Sequence, residues 1–255
     1  RAPILTEFAE QFGEEYGITT QVQVATDVRQ QFKDATNVDQ GPDIIVGAHD
    51  WLGELVQNGT VAPIQMSAEV QAQFTEESIE ATKFDGQIYG VPYATETLGL
   101  IRNTALAPDA PATMEELVEH GKSLVESGEA DQIMVTPVGQ TGDAYHAFPY
   151  LSAYGGGIFG KNADGGWDPE QVIVGSEETI KGGEKIAWLA EEGALNVNVD
   201  GATMEALFAE GRTPYMVSGP WAIPNVQGAG IEYAIDPIPD FEDGGQTTPF
   251  MGVQM

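Results

Sequence analysis

With 255 residues, 42% of them hydrophobic, the chain is long enough to bury one large core or two smaller ones. Its net charge is −30, from 40 acidic against 10 basic side chains, which is typical of a protein that stays soluble in a salty or extracellular setting. This charge excludes nucleic acid and anionic lipid as binding partners, because both bind clustered Lys and Arg. The lack of Cys excludes disulfides and thiolate chemistry, and no apolar run approaches the roughly 18 residues of a membrane span.

The first part of the chain alternates helix and strand. Hydrophobic residues at helical spacing predict a helix over residues 3–16, which Gly17 ends. Residues 18–24, "ITTQVQV", alternate as in a strand, and the wholly apolar "DIIVG" at 43–47 is typical of a central parallel strand. A helix follows at 51–58. This order of elements indicates an α/β sheet.

Similar patterns continue to the end of the chain. They predict a polar helical stretch at 67–82, a turn at Asp85-Gly86, an extended segment at 87–103, helices at 113–124, 147–156, 176–193 and 203–211, a loop or hairpin at 156–175, and strands at 213–219 and 231–236. Thr113 and Glu116 have the spacing of a capping box. In the helix at 176–193, one stripe is predicted to hold Ile180, Gly183, Ala187 and Ala190.

A boundary is predicted between two α/β parts of the chain. Extended residues 91–103 separate the two parts, so we expect the chain to cross there from one lobe to another. In open α/β sheets, ligands bind beyond the carboxyl ends of strands. Trp51 follows the predicted strand "DIIVG" and Trp221 follows "TPYMV", so each part presents a tryptophan at a strand end. The pattern predicts a ligand cleft between the lobes.

Motifs for catalysis and for cofactors are missing from the sequence. There is no GxSxG, HExxH, phosphate-binding P-loop or dinucleotide fingerprint. His49, His120 and His146 are scattered, without the spacing of a metal site. We therefore expect no enzyme activity, no metal and no cofactor, and we expect His146 to serve packing rather than chemistry.

Aromatic and acidic side chains remain as candidates for ligand binding. Aromatic planes cover the apolar faces of pyranose rings, while carboxylates accept hydrogen bonds from the hydroxyl rims. The residues that suit sugar binding in this way are Asp50, Trp51, Glu96, Asp143, Tyr145 and Trp221. Each has a simpler alternative. Asp50 is placed to cap a helix, and the two tryptophans could belong to a hydrophobic core. Asp143 and Tyr145 could be an acid and a surface aromatic of an ordinary loop. Glu96 lies in an extended apolar stretch, where an ionised carboxylate needs a hydrogen-bond or ion-pair partner.

Four stretches of the sequence are similar to a known family. They are "GPDIIVGAHDWLGELVQNGTVAPI", "YGVPYATETLGLIRN", "GDAYHAFPYLSAYGGGIF" and "YMVSGPWAIPN". In order and spacing they resemble the extracellular maltose and maltodextrin-binding proteins of ABC importers, in the form usual for Gram-positive bacteria. The resemblance implies a two-lobed, periplasmic-binding-protein-like α/β fold that closes on an α-glucan and docks on a membrane permease.

The resemblance assigns roles to residues one by one. Asp50 and Glu96 match family carboxylates that bond sugar hydroxyls. Asp143 and Tyr145 fall where the family has an acid and a stacking tyrosine two residues apart, and Trp221 matches a stacking tryptophan.

Two departures from the family pattern meet in the first lobe. Gly47 stands where the well-known enteric-type protein has a stacking tryptophan, and Trp51 stands where that protein has an arginine. We expect Trp51 to replace the lost platform from its nearby position.

The resemblance also implies boundaries and a setting. Residues 1–94 match part of lobe I, 95–103 the crossing hinge, 104–249 part of lobe II, and 250–255 the start of the return crossing. Family members begin with an earlier strand and continue further, so we expect the first strand and the C-terminal part to be missing here. The full-length precursor is expected to be a monomer, lipid-anchored at the cell surface. Two alternatives stay open: a different oligosaccharide as ligand, and a glycoside hydrolase, which needs two carboxylates about 5–10 Å apart.

Overall fold

Helices and strands alternate in the computed structural model, which describes residues 2–25, 28–163 and 166–255, and this confirms the predicted α/β class. Two compact units make up the chain. The first unit takes in residues up to Thr95 together with Gly252–Met255, and the second unit is Glu96–Met251.

The helices lie mostly where local patterns predict them. They are α1 (Ala2–Tyr16), α2 (Val28–Thr36), α3 (Leu52–Gln57), α4 (Ala68–Gln71), α5 (Glu76–Glu80), α6 (Met114–Ser127), α7 (Ala144–Leu151), α8 (Glu177–Glu191), α9 (Gly201–Ala209) and α10 (Ile223–Gly228). Two 3₁₀ turns, His49–Trp51 and Pro220–Ala222, lead into α3 and α10. The polar stretch at 67–82 forms two short helices rather than one, because Thr75 accepts a hydrogen bond from Ser78 N and so starts a new helix.

The strands form small sheets of two or three strands. They are β1 (Lys83–Phe84), β2 (Gln87–Ile88), β3 (Ala94–Glu96), β4 (Gly99–Asn103), β5 (Phe159–Lys161), β6 (Trp167–Val172), β7 (Tyr215–Ser218), β8 (Tyr233–Asp236) and β9 (Gly252–Gln254). The sheet orders are β1-β2, β3-β9, β5-β6 and β7-β4-β8. The pairing of β5 with β6 confirms a hairpin at 156–175, of which residues 164–165 lie outside the described residues.

The core of the second unit lies on both faces of the three-stranded sheet. Because successive strand residues point to opposite faces, Leu100, Tyr215 and Val217 pack into one apolar cluster. Ile101 and Met216 pack into the other. The sheet is therefore covered on both sides, and β7 is held in place where it runs towards Trp221.

A buried ion pair ties two strands of this sheet together. Arg102 Nε on β4 lies 2.9 Å from Asp236 Oδ2 on β8, and the Arg102 side chain is only 8% exposed. Arg102 Nη1 also donates to the carbonyls of Ala107 and Pro108, both at 2.6 Å. These bonds satisfy a buried guanidinium, as its desolvation requires.

Two predicted strands in the first unit are wrong. Residues 18–24 and 43–47 form no strand. Val24 is 78% exposed and Ile44 is 80% exposed. A strand exists only when a neighbour accepts and donates its backbone hydrogen bonds. In the described part of the chain such pairing begins only at Gly47, which exchanges bonds with Met255.

Local end signals are confirmed at two helices. Gly17 follows α1 with a φ of 69°, a left-handed conformation that favours glycine. At α6, Thr113 Oγ1 accepts from Glu116 N at 3.1 Å. The return bond of the capping box reaches one residue further back, since Glu116 accepts from Ala112 N at 2.8 Å.

Candidate functional site

The 3₁₀ turn that leads into α3 of the first unit carries Asp50 and Trp51. Asp50 is exposed and lies inside the 3₁₀ turn, whose N-cap is Ala48. No side chain caps this turn or α3. The alternative that Asp50 serves as a helix cap is therefore wrong, because the chain enters α3 through a 3₁₀ turn that begins before Asp50.

Trp51 is half-buried, and its ring lies against the backbone of Gly47. A Cβ atom at position 47 would be 2.4 Å from Cζ3 of Trp51, which is closer than real Cβ contacts come. Both backbone polar groups of Gly47 are bonded to Met255, N to O at 3.0 Å and O to N at 2.9 Å. Gly47 is thus fixed in place, and only its lack of a side chain leaves room for the ring.

His49 in the same turn has a structural partner. Its Nδ1 accepts a hydrogen bond from Val253 N at 3.1 Å, while the neighbouring Ala48 forms a bridge with Gln254. Since Nδ1 is an acceptor, the proton of a neutral ring is assigned to Nε2. His49 therefore fastens β9 beside the turn.

Asp143 begins helix α7 of the second unit. It is the N-cap, and its Oδ1 accepts a hydrogen bond from His146 N at 2.9 Å. The side chain is 32% exposed. Asp143 thus caps a helix and reaches solvent at the same time.

Tyr145 and Trp221 lie side by side in the second unit. Their ring centroids are 6.2 Å apart, with the planes inclined by 48°. Trp221 is half-buried and packs against both apolar clusters of the sheet. Its ring also lies against a glycine, since a Cβ at Gly219 would be 2.1 Å from Cζ3 of Trp221. Trp221 therefore combines core packing with a partly open ring.

His146, which the sequence suggested as a packing residue, contacts three of the candidate site residues. It is only 8% exposed and lies edge-on to Tyr145, with centroids 5.5 Å apart, and to Trp221, with centroids 6.0 Å apart. Its Nδ1 is 3.0 Å from Asp143 Oδ1. One signal in the sequence was available: His146 stands three residues after an N-cap acid, where side chain and cap meet.

Glu96 occupies the end of β3 and is the first residue of the second unit. It is half-buried. Thr97, which follows, donates to the carbonyl of Phe250 at 3.2 Å, so residues far apart in the chain are bonded next to Glu96.

The described ranges contain neither a metal cluster nor a membrane-spanning helix. No group of three or more His, Asp or Glu side chains there could hold a metal ion. In the same ranges, no helix is both long and apolar enough to cross a bilayer.

Comparison with known proteins settles the family. The family model described as bacterial extracellular solute-binding protein matches residues 7–255, nearly the whole chain. The chain belongs to this family. The resemblance seen in the four sequence stretches is confirmed at the family level, and the family's members are binding proteins rather than enzymes.

Individual members of the solute-binding family match most of this chain. The galactooligosaccharide-binding protein of Bacillus subtilis is 30% identical over 220 residues, 84% of this chain and 51% of its own length. The maltotriose-binding protein of Pyrococcus abyssi is 29% identical over 234 residues, which are 90% of this chain and 49% of the relative's length. The maltodextrin-binding protein MdxE of B. subtilis is 29% identical over 219 residues, which are 83% of this chain and 51% of the relative's length. The chain spans about half the length of these relatives.

Proposed function

We propose that this chain is part of a protein that binds malto-oligosaccharides between two lobes and delivers them to an ABC importer. The observation that supports this most is the grouping of Asp143, Tyr145 and Trp221 in a member of a solute-binding family. Two relatives named for maltotriose and maltodextrin support the choice of α-glucans.

The grouping has the chemistry that a sugar needs. Two inclined aromatic planes can each cover the apolar face of a pyranose ring, because the ring's C–H groups are apolar while its hydroxyls point outwards. Asp143 caps α7 through Oδ1, so Oδ2 can accept a sugar hydroxyl. A hydrogen bond to a charged acceptor is worth about 1.5–3 kcal/mol, more than one to a neutral acceptor.

The other three site residues complete the proposal. Asp50 and Trp51 would act from lobe I, residues 1–94, and Glu96 from the crossing hinge, 95–103. Lobe II is residues 104–249, and 250–255 begin the return crossing. A sugar that touches both lobes binds the closed form better, and so shifts the population towards it.

We also propose a cellular location and partners for the protein. The protein acts outside the cell, held by a lipid anchor in its full-length precursor, as a monomer that docks on the membrane subunits of an ABC permease. It has no catalytic step and no cofactor, and with its net charge of −30 it does not bind nucleic acid.

A galactooligosaccharide is the second candidate ligand. The B. subtilis relative that carries this name is 30% identical, as similar as the maltodextrin-binding relatives. Aromatic platforms accept any pyranose, so the choice between the sugars depends on which hydroxyls meet the carboxylates.

Titration calorimetry with trisaccharides tests the proposal. We expect maltotriose to bind the purified protein with a stoichiometry of about one, in the micromolar range or tighter, and cellotriose to give no heat. Trp221→Ala should weaken this binding by at least about tenfold. Binding heat with β-1,4-galactotriose and none with maltotriose would indicate galactooligosaccharides as the ligands. No binding heat with either sugar would contradict the proposed sugar-binding function.

A further inference from the structure

His146 contacts the whole aromatic and acidic grouping of the second unit. Its imidazole is nearly perpendicular to the rings of Tyr145 and Trp221, at 83° and 85°. Its Nδ1 and its backbone N both approach the same oxygen, Oδ1 of Asp143, at 3.0 and 2.9 Å. One side chain thus contacts each of the three residues that the proposed function assigns to the sugar in this unit.

The imidazole of His146 is poorly suited to a purely structural role. Nδ1 lies near Asp143 Oδ1 without the alignment of a hydrogen bond, and within the described part of the chain Nε2 has no hydrogen-bond partner. A buried polar atom without a partner destabilises a fold, whereas an apolar group of the same shape does not. Phenylalanine would fill the same space without orphaned nitrogens, so packing alone does not account for histidine.

We propose that His146 is a positioning residue for the sugar site, acting through Asp143. This rests on the proposed function, in which Asp143 accepts a sugar hydroxyl. Nδ1 of His146 lies 3.0 Å from Asp143 Oδ1, so a proton on Nδ1 is attracted to the carboxylate without closing a well-aligned hydrogen bond. Held at Oδ1 by the ring and by the backbone of one residue, the carboxylate keeps Oδ2 towards the ligand. The ring edge of His146 meanwhile sets the planes of Tyr145 and Trp221.

Two variants separate positioning from packing. His146→Phe keeps the ring between the aromatic neighbours and removes Nδ1, so we expect the melting temperature to stay or rise by about 2–4 °C while maltotriose affinity falls about 3- to 10-fold. His146→Asn keeps an amide donor near the Nδ1 position but leaves a cavity. It should melt earlier than wild type and yet bind maltotriose more tightly than the Phe variant does.

A double-mutant cycle with Asp143→Asn tests the route of the effect. Asparagine keeps the helix cap but not the charge. If His146 acts through Asp143, the Phe substitution has little further effect on affinity once Asp143 is replaced. Full additivity would overturn the proposal in favour of direct contact between His146 and the sugar. Unchanged affinity in His146→Phe would overturn it while the sugar-binding function stands. A wild-type protein that binds neither maltotriose nor β-1,4-galactotriose would overturn both.

Discussion

At the residue scale, two tryptophans share one local arrangement. Trp51 lies four residues after Gly47, and Trp221 lies two residues after Gly219. Each tryptophan ring lies where the side chain of its glycine would be. In the sequence, Gly47 stands where the family resemblance implies a stacking tryptophan, so position 47 lacks that stacking platform. The structure shows that its missing side chain is the space that Trp51 occupies, so the identities of positions 47 and 51 depend on each other.

Adding one methyl group beneath each ring tests this arrangement. Gly219→Ala and Gly47→Ala would place Cβ at 2.1 and 2.4 Å from the rings, so each ring must tilt or slide. We expect maltotriose affinity to fall about 3- to 30-fold in each variant, by calorimetry. Gly228→Ala is the matched control, because its Cβ meets nothing within 4 Å. Equal affinity in all three variants would show that neither ring is a sugar platform.

Glu96 offers a second test at the residue scale. Glu96→Gln keeps the size and one acceptor but removes the charge that strengthens hydrogen bonds from sugar hydroxyls. Affinity should fall roughly 5- to 30-fold, with little change in the melting temperature of the sugar-free protein. The opposite pattern, early melting with unchanged affinity, would make Glu96 a structural acid at the end of β3.

At the element scale, the sequence predicted helices better than strands. Helices α1 and α6 were predicted because a helix closes its hydrogen bonds within one segment and marks its ends locally. The strands predicted at 18–24 and 43–47 failed because pairing depends on distant residues. Burial in α8 does not follow the stripe containing Ile180 that the sequence singled out: Ile180 is 52% exposed, while Thr179, Gly182 and Leu189 are buried. Close packing of α8 on α7, which no local pattern reveals, selects the buried face.

Two adjacent glycines of α8 give opposite predictions. A Cβ at Gly182 would be 2.1 Å from the carbonyl oxygen of Leu151, at the end of α7, whereas a Cβ at Gly183 meets nothing within 4 Å. Gly182→Ala should therefore force the helices apart and lower stability by about 1–3 kcal/mol. Gly183→Ala should raise stability by about 0.5–1 kcal/mol, because alanine loses less entropy in a helix. Urea denaturation of both variants measures the difference, and a stable Gly182→Ala would contradict the close contact.

At the scale of the whole molecule, the sequence predicted the fold class from the order of its elements, and it proposed ligand-binding residues from their chemistry. Residue chemistry and family resemblance identified the candidate acids and aromatics, and the structure groups Asp143, Tyr145 and Trp221. The contact of His146 with Trp221 was not predicted, because it joins residues 75 positions apart in the printed sequence. Such a contact depends on how β7 and α7 pack, which no periodicity in the chain encodes.

The net charge leads to a prediction about salt. At −30, the folded protein repels itself, and salt shortens the range of this repulsion from about 10 Å at 0.1 M to about 3 Å at 1 M. The melting temperature should therefore rise by roughly 5 °C between 0.05 and 1 M NaCl, with most of the rise below about 0.5 M. KCl should act equally. A flat or falling curve would mean that attractive ion pairs outweigh the repulsion.

Intrinsic tryptophan fluorescence titrated with α-glucans tests the central claim most directly, because two of the four tryptophans, Trp51 and Trp221, belong to the proposed site. We expect maltotriose to change the emission saturably, with one site and full recovery of the intact sugar, and glucose to have little effect. Trp221→Phe should remove most of the change. No saturable response to maltose, maltotriose or longer glucans, or the release of glucose from them, would contradict a malto-oligosaccharide-binding protein without catalysis.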